Sequence, residues 1–144
     1  MEANLKRSII LDHYQNPRHK GLCEDSSYYQ ANTNNDSCID EIDLMVKIEN
    51  GRIVDACFDG EACAICTSSS SILVETIIGK TIEDAIQIYD NFKAMLQEEP
   101  YEEDLLEQAI VYDDIVKQPN RKKCALLPWW GFEKIMDEYQ ANEH

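Results

Sequence analysis

Six cysteines and one carboxylate are the residues best suited to chemistry in this chain of 144 residues. Cys38, Cys63 and Cys124 stand far apart in the sequence, yet each falls at the end of an expected structural element, where backbone amides and open space are available. Asp40 follows Cys38 by two positions, so one loop can present a thiolate and a carboxylate to the same ion. Zinc takes cysteine sulfur at about 2.3 Å and aspartate oxygen at about 2.0–2.2 Å, almost always as a tetrahedron. Three thiolates and one carboxylate fill that tetrahedron. A mixed set of this kind differs from a sealed four-cysteine knot, because one thiolate can be released for chemistry. The only short cysteine pair, Cys63-Ala64-Ile65-Cys66, admits two other readings, a redox dithiol and half of a zinc knuckle. A thioredoxin-type dithiol wants a parallel βαβ setting and a knuckle wants a second pair; the chain supplies neither. With no histidine between His19 and His144, a Cys–His catalytic pair has few candidates, and His13 and His19 read as structural or surface residues.

The elements that must position these residues follow from periodicity. Residues 4–15 read as a helix with Leu5, Ile9, Ile10 and Tyr14 on its apolar stripe, stopped at Asn16-Pro17 because proline disfavours helical geometry in the residue before it. Residues 18–37 are polar and irregular, with room for a short strand at Tyr28–Ala31. Ile42, Leu44, Val46 and Ile48 alternate, as do Ile53 or Val54, Ala56 and Phe58 beyond Asn50-Gly51. An Asn-Gly pair between two alternating runs predicts a hairpin closed by a type I′ turn, whose two central residues need positive φ. Cys63 then opens a helix, where unpaired backbone N–H groups and the helix dipole favour an anionic ligand. Ile65, Ile72, Leu73, Thr76 and Ile77 supply its apolar side, the small residues Ser68–Ser71 let it pack closely on a sheet, and Gly79 ends it. A further helix opens at Thr81, with Ile82, Ala85, Ile86, Tyr89, Phe92 and Leu96 inward. The acidic stretch 97–114 carries Leu105, Leu106, Ala109 and Ile110 at helical spacing and reads as a short amphipathic helix. A last helix is expected from about Cys124 to Tyr139, with Ile135 and Met136 inward and Trp129-Trp130 as core and interface cover. The sum is one α+β domain spanning 1–144, a small antiparallel three-stranded sheet with helices packed on one side.

Composition narrows the function. Acidic residues number 28 against 13 basic ones, a formal net charge of -15 that a phosphate backbone would repel, and no basic patch offsets it; nucleic acid is excluded as a partner. No apolar run approaches the roughly 18–20 residues that a membrane helix needs, so no membrane association is expected. Met1-Glu2-Ala3-Asn4-Leu5-Lys6-Arg7 has no apolar stretch or cleavage site of a secretory signal, which points to a reducing cytoplasm. There, cysteines indicate metal or sulfur chemistry before a disulfide framework.

Four segments carry a resemblance. Asp12-His13-Tyr14-Gln15-Asn16-Pro17-Arg18 looks like an H-Y-x-N-P-R helix end, and Asn35-Asp36-Ser37-Cys38-Ile39-Asp40 like an N-P-x-C-G-D loop. Gly60-Glu61-Ala62-Cys63-Ala64-Ile65-Cys66-Thr67-Ser68-Ser69 follows G-x-G-C-x-I-S-x-A-S, and Arg121-Lys122-Lys123-Cys124-Ala125-Leu126-Leu127-Pro128-Trp129 follows R-x-x-C-x-x-L-x-W. In this order they resemble the SufU/IscU/NifU N-domain family of iron–sulfur cluster assembly proteins over nearly the whole chain, and the SufU branch in particular. The resemblance implies a SufE/NifU-like fold and makes Cys38, Asp40, Cys63 and Cys124 the metal or cluster ligands. Scaffolds of the IscU type carry a histidine immediately before the third ligand cysteine, where this chain has Lys123; the SufU branch also carries extra residues between the second and third ligand cysteines, which matches an acidic helical insertion at about 97–117. The implied activity is that of a zinc-dependent sulfurtransferase, an acceptor more than a free-standing enzyme. It takes persulfide sulfur from a SufS-type, pyridoxal-phosphate cysteine desulfurase, with Cys124 as acceptor. Arg121, three residues earlier, is the group placed to stabilise the thiolate or persulfide by charge. The alternative is a scaffold within the iron–sulfur assembly machinery that holds iron or a [2Fe–2S] cluster on the same ligands, since soft thiolates suit either state.

The chain departs from the family pattern around the ligand positions. Ile39 and Ala62 replace glycines, Asp36 replaces proline and Cys66 replaces serine. A β-branched Ile39 is strained if that position needs positive φ. Cys66 reads first as an inert buried thiol, with a competing ligand and a resolving thiol as the alternatives; Cys23 and Cys57 read as small core residues.

Overall fold

The computed structural model describes residues 1–35 and 39–142. Its elements run helix α1 (Ala3–Gln15), strands β1 (Tyr29–Asn34), β2 (Glu41–Glu49) and β3 (Arg52–Glu61), helices α2 (Ala64–Ile77) and α3 (Ile82–Leu96), a 3₁₀ segment (Glu103–Lys117) and helix α4 (Pro119–Asn142). The strands form one antiparallel sheet in the order β1-β2-β3, and the helices pack on one of its faces, as the α+β expectation required.

The hairpin forms where Asn50-Gly51 places it. Both residues take positive φ, 54° and 72°, and Glu49 pairs with Arg52. A register irregularity between Lys47 and Ile48 leaves Ile48 half-buried, while Ile42, Leu44, Val46, Ile53, Ala56 and Phe58 line the helix-facing side of the sheet. The outer edge of β3 is covered at two places. His19 and Gly21 exchange backbone hydrogen bonds with Phe58, and Gly79 and Lys80 do the same with Ile53, so the row of unpaired groups that an edge strand would present is interrupted.

Three expectations are corrected. In α1, Leu5 and Tyr14 are exposed and Ile9 and Ile10 only half-buried, whereas Lys6 and His13 are the residues turned inward. They are tolerated because both are paired: Lys6 Nζ donates to Asp113 at 2.6 Å and Asp114 at 3.1 Å, and His13 is bonded to Ser71 and Gln108. The acidic stretch begins its helix at Glu103 and winds as 3₁₀, with a break at Glu107 (φ 51°, ψ -126°). Beyond the break, Ala109, Tyr112 and Ile115, all buried, recur every third residue, and three residues per turn puts such a row on one edge of a 3₁₀ helix. The last helix starts at Pro119, five residues before the expected Cys124, because proline suits the first helical position, where its missing N–H costs nothing.

The serine run of α2 does not serve a sheet contact alone. All four serines are fully buried, and three of them bond to neighbouring elements. Ser68 bonds Tyr112 of the 3₁₀ segment, Ser69 bonds Ala125 and Trp129 of α4, and Ser71 bonds His13 of α1 and the backbone N–H of Arg18. Ser68 also donates to the Ile65 carbonyl of its own helix, and Ser70 bonds there only, donating to the Cys66 carbonyl. The aromatic centre lies beside this helix: Trp129 stacks on Phe92 at 4.2 Å, and Phe92 meets Tyr112 edge-on.

Candidate metal centre

Asp40 closes the loop before β2, and its carbonyl accepts a hydrogen bond from the Asn35 N–H at 3.0 Å. The side chain is buried. Its Oδ1 accepts from the backbone N–H of Cys63 at 2.7 Å, and its Oδ2 lies 3.6 Å from the Cys63 sulfur. Gly60 makes this approach possible. With φ at 142° and a Cβ that would stand 2.0 Å from the Glu41 carbonyl oxygen, only glycine fits opposite Ile42, where β2 and β3 bring Asp40 and Cys63 together.

Cys63 is the N-cap of α2, and its sulfur accepts from the Cys66 N–H at 3.4 Å. Its neighbour Ala62 is not among the four described non-glycine residues with positive φ, so the loss of a glycine there strains nothing. Cys124 sits in the second turn of α4 and not before it; α4 is fixed against α2 by Ser69, which donates to the Ala125 carbonyl at 2.6 Å and accepts from Trp129 Nε1 at 2.9 Å. Pro128 stands four residues beyond Cys124, so no backbone N–H is available to the Cys124 carbonyl in the helical ladder.

One ligand atom each from Asp40, Cys63 and Cys124 lies within 4.8 Å of the other two. Cys38 falls outside the described residues. Ile39, next to it, is 80% exposed. Burial, a hydrogen bond with Asp40 and the nearby Cys63 all push the Cys124 thiol well above the ordinary cysteine range. A half-buried thiol held protonated by a buried carboxylate and a second thiol is a donor set whose charges oppose one another, and a bound cation removes that opposition. The set therefore fits a thiophilic divalent metal.

Arg121 lies three residues before Cys124 on the exposed side of α4 and lines a groove of about 520 Å³ with Ile10, Tyr14, Ala64, Ile65 and Ile115. Lys123 is exposed, Trp129 is core, and Trp130 is half-buried. Cys66 is fully buried and is not one of the three converging ligands. The sequence reading missed the polar network joining His13, Ser71 and Gln108, in which Gln108 Oε1 can only accept, so His13 donates to it through Nε2 at 2.6 Å and Nδ1 faces the Ser71 hydroxyl at 2.7 Å. Four serines inside an otherwise apolar helix were the signal for it. No helix among the described residues is long and apolar enough to cross a membrane.

Comparison with known proteins gives the family. The family profile of the NifU-like N-terminal domain matches residues 5–125. The zinc-dependent sulfurtransferase SufU of Bacillus subtilis is 38% identical over 131 residues, covering 90% of this chain and 88% of that protein. The iron–sulfur cluster assembly scaffold protein IscU of Streptococcus pyogenes is 35% identical over 143 residues, covering 98% and 88%. Among solved structures, a putative iron–sulfur cluster assembly scaffold protein for the SUF system from Fervidobacterium islandicum superposes with a TM-score of 0.84 at 32% identity, covering 89% of this chain and 93% of that one. With its sheet, its helices and its matched residues in agreement, the chain belongs to the NifU-like N-terminal domain family of iron–sulfur cluster assembly proteins.

Proposed function

We propose that this protein is a zinc-dependent sulfurtransferase that accepts persulfide sulfur from a SufS-type cysteine desulfurase and passes it into iron–sulfur cluster assembly in a reducing cytoplasm. The observation that carries the reading is the convergence of Asp40, Cys63 and Cys124 within 4.8 Å. Lys123, standing where scaffolds of the IscU type have histidine, favours zinc over a cluster. The 38% identity to a zinc-dependent sulfurtransferase supports the same choice.

Cys38, Asp40, Cys63 and Cys124 would hold the ion, and Zn²⁺ supplies there the charge that keeps thiolates ionised at neutral pH. Cys124 is the acceptor. Its thiolate attacks the outer sulfur of the desulfurase persulfide; the S–S bond of that persulfide breaks, the desulfurase cysteine leaves as thiolate, and the terminal sulfur with its proton becomes a persulfide on Cys124. Asp40, held by the Cys63 N–H with its second oxygen 3.6 Å from the Cys63 sulfur, would remain a ligand beside Cys63. Arg121, one turn before Cys124 on α4, is the cation assigned to stabilise the new anion. The acidic segment at about 97–117 is this branch's insertion, and part of the -15 charge lies there, where it shapes docking of the desulfurase.

Turnover of a SufS-type desulfurase is the test, measured with and without the zinc-loaded protein. Stimulation that is lost in Cys124→Ser supports the reading, and unchanged turnover in that variant rejects Cys124 as acceptor. Protein purified without oxygen should carry about one zinc per chain; a brown, iron-loaded protein would establish the scaffold function in its place.

A further inference from the structure

Two cysteines lie outside the metal centre and come together on the other face of the sheet. Cys57 of β3 pairs with Met45, and both stand apart from the core cluster to which their neighbours Ala56 and Phe58 belong. Cys23, from the segment between α1 and β1, crosses over it with the two sulfurs 3.6 Å apart. That segment is clamped on each side of Cys23. His19 and Gly21 bond the backbone of Phe58, and the Tyr28 hydroxyl donates to Asp55, which shares the outward face of β3 with Cys57. Cys57 lies three positions along β3 from Gly60, roughly 10 Å at the rise of a strand, so the pair is separate from the metal ligands.

We propose that Cys23 and Cys57 form a second thiol site, a dithiol that a low-molecular-weight disulfide converts reversibly to an intramolecular disulfide. The sulfurs need to approach from 3.6 Å to about 2.05 Å, a displacement that side-chain rotation supplies while the clamped backbone stays in place. Cys23 is half-buried and Cys57 buried, which sets the order of events. Burial, first, and contact with Cys23 push the Cys57 thiol up to about 12, so Cys57 does not open the exchange. Cys23 loses its proton to solvent and attacks one sulfur of the disulfide RSSR, expelling RS⁻ and leaving a mixed disulfide. Cys57 then attacks the Cys23 sulfur, its proton passing to the second departing RS⁻. The protein loses two electrons and two protons, and RSSR becomes two RSH.

The experiment treats the zinc-loaded protein with glutathione disulfide, blocks remaining thiols by alkylation and maps cysteines by mass spectrometry. The expected product is a Cys23–Cys57 cross-linked peptide, lighter by two hydrogens than its reduced parts, reversed by dithiothreitol, with zinc content unchanged. Cys57→Ala should stop at a stable glutathione adduct on Cys23, and Cys23→Ser should take up no glutathione at Cys57. A stable adduct on Cys23 of the unmodified chain, an unreacted Cys23, or cross-links that recruit Cys63 or Cys124 with loss of zinc would overturn the proposal. Because zinc content and cross-linking are read separately, failure here is distinguishable from failure of the sulfurtransferase reading.

Discussion

Ser69→Ala and Ser70→Ala separate hydrogen bonding from packing in the helix that positions Cys124. Both serines are fully buried, adjacent and of equal size, so deletion of either hydroxyl removes the same volume. Their partners differ. Ser69 accepts from Trp129 Nε1 at 2.9 Å and donates to the Ala125 carbonyl at 2.6 Å. Without it, the Ala125 carbonyl keeps its place in the helical ladder of α4, but the Trp129 indole N–H is left buried with no acceptor, at a cost of about 1–3 kcal/mol. Ser70 donates only to the Cys66 carbonyl, four residues back in the same helix, and alanine there is the better helix former, so the change should stay within about 0.5 kcal/mol. With a urea slope of about 2 kcal/mol per molar, a loss of about 2 kcal/mol moves the unfolding midpoint of Ser69→Ala down by about 1 M and leaves Ser70→Ala near the parent. Zinc affinity should weaken in the first variant and hold in the second, since of these two serines Ser69 bonds α4 and Ser70 does not. Equal midpoint shifts in the two variants would refute the reasoning and show that the serines act through their size alone.

Three further outcomes are expected. Gly60→Ala should cost about 3 kcal/mol or more, seen as a lowered melting temperature and loss of zinc, because its Cβ meets the Glu41 carbonyl oxygen at 2.0 Å and its φ is 142°. Lys6→Met should destabilise the protein by about 1–2 kcal/mol at neutral pH. The hydrogen bond to Asp113 holds Lys6 protonated above its usual 10.5, so this contribution is complete below that pH and disappears as pH rises through the higher folded value; melts at rising pH should bring parent and variant together. Zinc affinity should rise with pH through the neutral range by about tenfold per unit for each proton displaced, because the metal-free Cys124 thiol is held protonated; calorimetry in buffers of different ionisation enthalpy counts those protons, and a pH-independent affinity would contradict the shift.

What could be read in the sequence was whatever depends on neighbours close along the chain. Asn50-Gly51 set the turn, the alternating strands set the inward face, and Thr81 capped α3 through the Asp84 N–H as its spacing implied. The candidate loops could be read because their motifs are local, and one candidate ligand atom each from Asp40, Cys63 and Cys124 lies within 4.8 Å of the other two, while Cys38 lies outside the described residues. What failed depends on distant partners. Lys6 and His13 turn inward only because Asp113, Gln108 and Ser71 meet them, and nothing near α1 in the chain announces those residues. The stretch Glu103–Lys117 read as an amphipathic helix from Leu105, Leu106, Ala109 and Ile110 but winds as 3₁₀, and its Tyr112 meets Ser68 and Phe92, partners distant in the chain. Cys23 and Cys57 read as separate core residues because the irregular segment that carries Cys23 is laid along β3 by backbone pairing at His19 and Gly21.

The proline four residues beyond Cys124 gives α4 two mechanical characters. After Pro128 the helix is anchored by the Trp129–Phe92 stack and by buried Phe132, Ile135 and Met136. Before it, the turn carrying Cys124 lacks one rung of its ladder, and proline is a residue at which helices bend. The missing rung of the helix therefore falls at the residue whose thiol would gain a sulfur atom, next to the Ala125 carbonyl that Ser69 holds. A side chain lengthened by one atom can be accommodated by a small hinge in that turn while the core on the far side of Pro128 stays fixed.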